Sequence, residues 1–172
     1  MSIKELITVT YHDLVVKKNT SKISVKEVCD TCHISRTTFY KYFKDCYEII
    51  DYILLNDAIV PTYDLVKQHV DGKLTTINWY LSFYKHREFY IIAIKEHGQN
   101  SLFDTIIANL FEENYRLHRE AFPQQDAIDH EYLSYKYASS QAMLLKKWMM
   151  DGMVVSPTKM ADYFYHYFLQ DK

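Results

Sequence analysis

An all-α fold is predicted, and three observations predict it. The 172 residues include only 3 glycines and 3 prolines, too few turns for a β-sandwich and no glycine cluster for a phosphate-cradling loop. Ser-x-x-Glu capping boxes recur along the first half. Between them the apolar residues repeat at the 3.6-residue spacing of helices. Hydrophobic residues at 48% and charged residues at 24% describe a folded globular chain rather than a disordered one. The length suits one domain, or two small ones sharing a core.

The elements follow in order. Ser2-x-x-Glu5 opens a first helix with the stripe Ile3, Leu6, Ile7, Thr10, Tyr11 and Leu14. Ser24-x-x-Glu27 opens a second, with Ile23 placed to staple onto Val28. Ser35 caps a third, short helix running to Phe43, so Cys32-His33-Ile34 forms the connection. Asp45-x-x-Glu48 opens a fourth that carries Ile49, Ile50, Ile53 and Leu54 and ends or kinks near Pro61. Asp71-Gly72 separates it from five aromatic-rich helices at 75–86, 87–97, 101–121, 129–151 and 157–170. Gly98, Pro123, Gly152 and Ser156-Pro157 mark their boundaries. The prediction is therefore about nine helices.

Net charge is −2, but it is unevenly spread. Between Lys17 and Lys44 seven basic residues meet two acidic ones, leaving +5 there and −7 elsewhere. A basic face on an acidic protein points to a polyanion. The same segment reads as a helix-turn-helix. Cys29 supplies the small residue where two helices cross, and Phe39 and Phe43 anchor the second helix. The opposite face holds Arg36, Thr37, Thr38, Tyr40, Lys41 and Tyr42, with Ser24, Lys26, Ser35 and Lys44 beside them. Arginine forks match guanine edges, threonine methyls can touch thymine, and tyrosine and lysine suit phosphates.

At Ile34-Ser35-Arg36-Thr37-Thr38-Phe39-Tyr40-Lys41-Tyr42-Phe43-Lys44-Asp45, followed by Glu48-Ile49, the chain resembles the TetR family of bacterial transcriptional regulators. Glu88-Phe89-Tyr90 and Leu144-Leu145-Lys146-Lys147-Trp148-Met149-Met150 resemble the C-terminal domain of relatives of the dihydroxyacetone-kinase regulator. The resemblance implies a homodimer on a palindromic double-stranded DNA operator and an unidentified small-molecule effector. It divides the chain into a DNA-binding domain, residues 1–46, and an effector-binding and dimerisation domain, residues 47–172. Two positions depart from the family pattern. His33 stands where a glycine is common in the turn, and Cys46 stands where a phosphate-touching lysine often opens the fourth helix.

Effector candidates are the aromatics Trp79, Phe83, Tyr90 and Phe103. Dimerisation is assigned to a small-residue face, Ala138 and Ala142, flanked by Leu145, Trp148 and Met149, with Phe164, Tyr167 and Phe168 on the last helix. Cys29-Asp30-Thr31-Cys32-His33 spells the C-x-x-C-H of haem attachment, but helix packing accounts for Cys29, and a metal or thiol switch is the sharper alternative. The 8 histidines show neither H-E-x-x-H nor an i, i+4 pair. No catalytic residue, metal ligand or cofactor is assigned, and no enzyme activity is expected. No apolar run approaches the roughly 20 residues of a membrane span. Met1-Ser2-Ile3-Lys4-Glu5 has no apolar leader, so the cytoplasm is the expected location. The rival reading is a helical ligand-carrying or protein-interaction bundle without DNA binding.

Overall fold

The computed structural model describes residues 1–96 and 101–168, with side chains as far as Tyr165. Every regular element among them is helical. These are α1 (Ile3–Lys18), α2 (Val25–Cys32), α3 (Arg36–Phe39), α4 (Cys46–Leu54), a π-helical turn (Leu55–Ile59), α5 (Val60–Lys67), α6 (Gly72–Lys85), α7 (Arg87–Ala93), α8 (Leu102–Ala121), α9 (Ala127–Met150) and α10 (Pro157–Phe168). Taken with the π turn, α4 and α5 form one rod, so the all-α prediction holds. The expected boundary at Gly98 and the end of the 87–97 helix lie outside the described residues.

Local chemistry sets the helix starts. Ser2 and Glu5 form a reciprocal capping box, as do Ser24 and Glu27, and Ser101 and Asp104. Asp45 caps α4 by accepting from the Glu48 N–H at 2.9 Å. Three helix ends are left-handed without glycine, at Asn19 (φ 52°), His33 (φ 56°) and His69 (φ 55°). At each, the next N–H closes the turn on a carbonyl five residues back, Thr20 onto Val15 at 3.2 Å, Ile34 onto Cys29 at 3.0 Å and Val70 onto Leu65 at 3.1 Å. His33 therefore takes the conformation that glycine would supply.

Three boundaries differ from expectation. Regular α3 stops at Phe39, and residues 40–42 continue only as turns. Pro61 does not end the fourth helix, because it falls in the first turn of α5, where a missing N–H is tolerated. Asp71 and Gly72 begin α6 rather than precede it, with Asp71 accepting from the Leu74 N–H at 3.0 Å. The Tyr165 hydroxyl occupies the space a Cβ at Gly72 would need, so a larger residue there would displace that side chain.

One continuous core runs through both halves. Ile7, Tyr11 and Val15 of α1 meet Val28 and Cys29 of α2, then Phe39, Phe43 and Ile49. Fully burying each such side chain stabilises by about 1.5–3 kcal/mol. Tyr11 carries the core across to α7, edge-on to Phe89 at 6.4 Å. The α4–π–α5 rod is tied down by two hydrogen bonds. The Tyr90 hydroxyl donates to Asp57 at 3.0 Å, and the Thr105 hydroxyl donates to Asp51 at 2.7 Å. Helices α8 and α9 form an antiparallel hairpin, joined by His118 to His130 and by Asn114 to Gln141.

This packing corrects the dimerisation assignment. Ala138, Ala142, Leu145, Trp148 and Met149 are all buried inside the chain's own core. Trp148 donates from Nε1 to the Val155 carbonyl at 2.8 Å and stands edge-on to Tyr80 at 5.4 Å. A partner helix cannot reach these residues. Tyr167 and Phe168 lie outside the described side chains.

Candidate nucleic-acid interface and ligand cavity

The first site is the outer face of α2 and α3. Ser24, Lys26, Ser35, Arg36, Thr37, Tyr40, Lys41, Tyr42 and Lys44 are exposed and Thr38 is half-buried. Phe39, beneath them, is fully buried and tilts its ring toward Phe43 at 6.2 Å. Two anchors thus fix a polar face, which is what groove reading requires. Ser35 accepts from the Thr38 N–H at 3.0 Å, so Arg36 is the first residue of α3.

The basic charge divides into paired and unpaired groups. Lys18 is bonded to Glu27, Lys22 lies 3.7 Å from Glu96, and Lys26 lies 3.7 Å from Asp30. The hydrogen bonds from Lys18 and Ser24 pull the Glu27 carboxyl down to about 2. Arg36, Lys41 and Lys44 enter no ion pair among the described residues. Those three are free to meet phosphate or base edges. The thiols beneath are insulated. Burial raises Cys29, and burial pushes Cys46 up to about 12, so both stay protonated at neutral pH. Among the described residues no cluster of three or more His, Cys, Asp or Glu side chains could hold a metal.

The second site is a partly open cavity of about 980 Å³ between α5, α6, α8 and α9, with Phe164 of α10 also in its wall. Its apolar wall includes Tyr63, Val66, Trp79, Tyr80 and Leu110, and its polar wall includes Asn109, Asn114, Gln141 and Arg116. The Arg116 fork is fixed by Glu113 at 2.6 Å and Glu120 at 2.9 Å and lies over the Tyr63 ring at 5.3 Å. The volume is that of a drug-sized ligand site with a few placed polar groups.

Residues 63–170 match the TetR-type family described as a transcriptional regulator C-terminal region, more than half of the chain. The chain belongs to the TetR family of transcriptional regulators. No curated protein matches it in sequence. Among solved structures, it is similar to a protein described as a TetR-family transcriptional regulator from Syntrophomonas wolfei. That match has a TM-score of 0.72 and 15% identity, covering 95% of this chain and 91% of the other. It is also similar to NalD of Pseudomonas aeruginosa, the secondary repressor of the MexAB-OprM multidrug efflux pump. There the TM-score is 0.60 and the identity 14%, with 95% and 93% covered. At these identities the likeness is one of fold.

In this TetR-family chain the ten residues expected to face DNA fall between Ser24 and Lys44, nine of them exposed and Thr38 half-buried. The effector candidates divide. Trp79 lines the cavity, whereas Phe83 and Tyr90 are fully buried in the core away from it. Phe103 also lies off the cavity, half-buried beneath the Lys146 ammonium at 4.3 Å. Phe164, assigned to dimerisation, lines the cavity instead. Sequence reasoning missed Tyr63, Arg116, Asn114 and Gln141, which converge only when α5 and the α8–α9 hairpin pack together.

Proposed function

We propose that the chain binds a palindromic DNA operator as a homodimer and that a small molecule in the cavity controls this binding. The carrying observation is the α4–π–α5 rod. At one end α4 packs on α1, and its Ile49 and Ile50 join the core that holds Phe39 of α3. At the other, Ile59, Thr62, Tyr63 and Val66 line the cavity. A ligand that fits one position of α5 better than another shifts α4, and with it the separation of two recognition helices. The aromatic wall and few polar groups suit an amphipathic ligand with a planar apolar body.

The dimer face is reassigned to the opposite side of α9. Ile128, Tyr132, Tyr135, Met143 and Met150 are exposed along it at helical spacing, Tyr132 by 72%. Such a stripe on a monomer calls for a covering surface, and a second copy fits the symmetry of a palindrome. The division at residues 46/47, a cytoplasmic location and kinship to the dihydroxyacetone-kinase regulator belong to the same proposal. Among the described residues no helix is long and apolar enough to cross a membrane.

Mobility shift on a pool of random duplexes, with sedimentation of the free protein, tests the reading. Duplex binding that weakens with salt and a dimer at micromolar concentration are expected. Tyr132→Glu should give a folded monomer with weakened operator binding. Absence of duplex binding at low salt would favour the ligand-carrying bundle.

A further inference from the structure

A second cleft, of about 550 Å³, lies between the outer face of α1 and the corner joining α6 to α7, and it shares no lining residue with the large cavity. Three cations line it, Lys17 from the last turn of α1 and Lys85 and Arg87 from the corner, against the carboxylates of Asp13 and Glu88. Neither lysine enters an ion pair among the described residues. Arg87 is braced by Tyr84, donating from Nη1 to its hydroxyl at 3.2 Å. Glu88 sits in the first turn of α7, where it complements the helix dipole.

The wall of the cleft is built around His12. Its ring stacks on Phe89 at 5.0 Å and meets the edge of His86 at 5.3 Å. Nδ1 faces Asp13 at 3.3 Å, which occupies that carboxylate. Nε2 is buried without a hydrogen-bond partner among the described residues. A buried polar atom left unpaired costs free energy that a ligand recovers by bonding to it.

We infer that this cleft binds the phosphoryl group of a small metabolite. A tetrahedral dianion accepts from several directions at once, as separate donors on α1 and the α6–α7 corner demand. Lys17, Lys85 and Arg87 exceed the two carboxylates by one positive charge, so the lining favours an anion. His12 lines the cleft with its buried Nε2 unpaired, so a turn of the ring offers that nitrogen to a phosphoryl group. A bound phosphoryl group ties α1 directly to the α6–α7 corner, so it couples to any movement of the DNA-reading half.

The test uses the full chain, inorganic phosphate and methyl phosphate at constant ionic strength, followed by amide NMR. Both probes should saturate, with shifts concentrated at residues 12–17 and 84–89. Lys85→Gln with Arg87→Gln should weaken binding at least tenfold, while Lys136→Gln on α9 leaves it unchanged. His12→Phe keeps a ring on Phe89 but removes Nε2, and it should also weaken binding. Non-saturating shifts spread over the surface, or equal affinity in the double variant, would overturn the proposal. No step requires DNA, so failure here and failure of operator binding are separate results.

Discussion

Replacing Arg36 with alanine tests how the basic face reads DNA. Ser35 caps α3, so Arg36 is its first residue, and its guanidinium is exposed. A bidentate guanine contact discriminates by about 1–3 kcal/mol, so two half-sites together lose about 2–6 kcal/mol. At about 1.4 kcal/mol per decade, that is a loss between about 30-fold and about 20,000-fold on the preferred operator. On a scrambled duplex the loss should be far smaller. Lys44→Ala provides the contrast, since a phosphate contact carries no sequence information. It should weaken both duplexes alike and flatten the log–log salt dependence by about 0.9 per contact, roughly two units for a dimer. Fluorescence anisotropy between about 50 and 200 mM salt, on a selected operator and its scrambled version, reads both signatures. Equal losses for Arg36→Ala on the two duplexes would make Arg36 a phosphate contact. Specificity would then pass to Thr37, Lys26 or DNA shape.

Three further outcomes are expected. Trp148→Ala removes a buried indole and its bond to Val155, so it should cost about 3–5 kcal/mol in denaturant unfolding. A loss of dimer without loss of stability would restore Trp148 to the dimer seam. Burial and the nearby His130 lower the His118 pKa, so the unfolded chain binds more protons below the ordinary value of 6.5. Stability should therefore be full above that pH and decline as pH falls through it. Melts of His118→Asn should be flatter across that window, and an unchanged slope would contradict the burial argument. Cys29→Ala and Cys32→Ala should keep operator affinity within a few fold, under oxidising and reducing conditions alike. An oxidation-sensitive affinity that either variant abolishes would instead reveal a thiol switch.

What the sequence made legible was local. Ser24, Ser35 and Asp45 announce their helices because a cap acts within three residues of itself. Phe39 and Phe43 announce an anchored face for the same reason. Pro61 misled because its effect depends on helix position, and a terminator in mid-helix is harmless in a first turn. On α9 two apolar stripes coexist, and periodicity cannot say which one the chain buries for itself. Ala138 and Ala142 looked suited to a partner, but they are buried against the chain's own helices, and the larger Tyr132 and Met143 are left outside. The cavity was the least legible feature. Tyr63, Arg116 and Gln141 lie far apart in sequence, and only tertiary packing joins them. The His118–His130 contact at 2.7 Å escaped for the same reason, since neither residue has a histidine within one turn.

The π turn at Leu55–Ile59 also fixes a rotational phase. Each residue of an α-helix advances about 100° around the axis, and a π turn accommodates one residue more than an α turn. Everything after Ile59 is therefore rotated relative to what a straight continuation of α4 would give. That offset aims Tyr63 and Val66 at the cavity while Ile49 and Ile50 stay in the core they share with α1 and Phe39. Straightening the turn into regular α-helix at the same chain length would lose no buried aromatic and break no cap. It would nonetheless swing the α5 face by about 100°, leaving the first four helices folded but disconnected from the cavity.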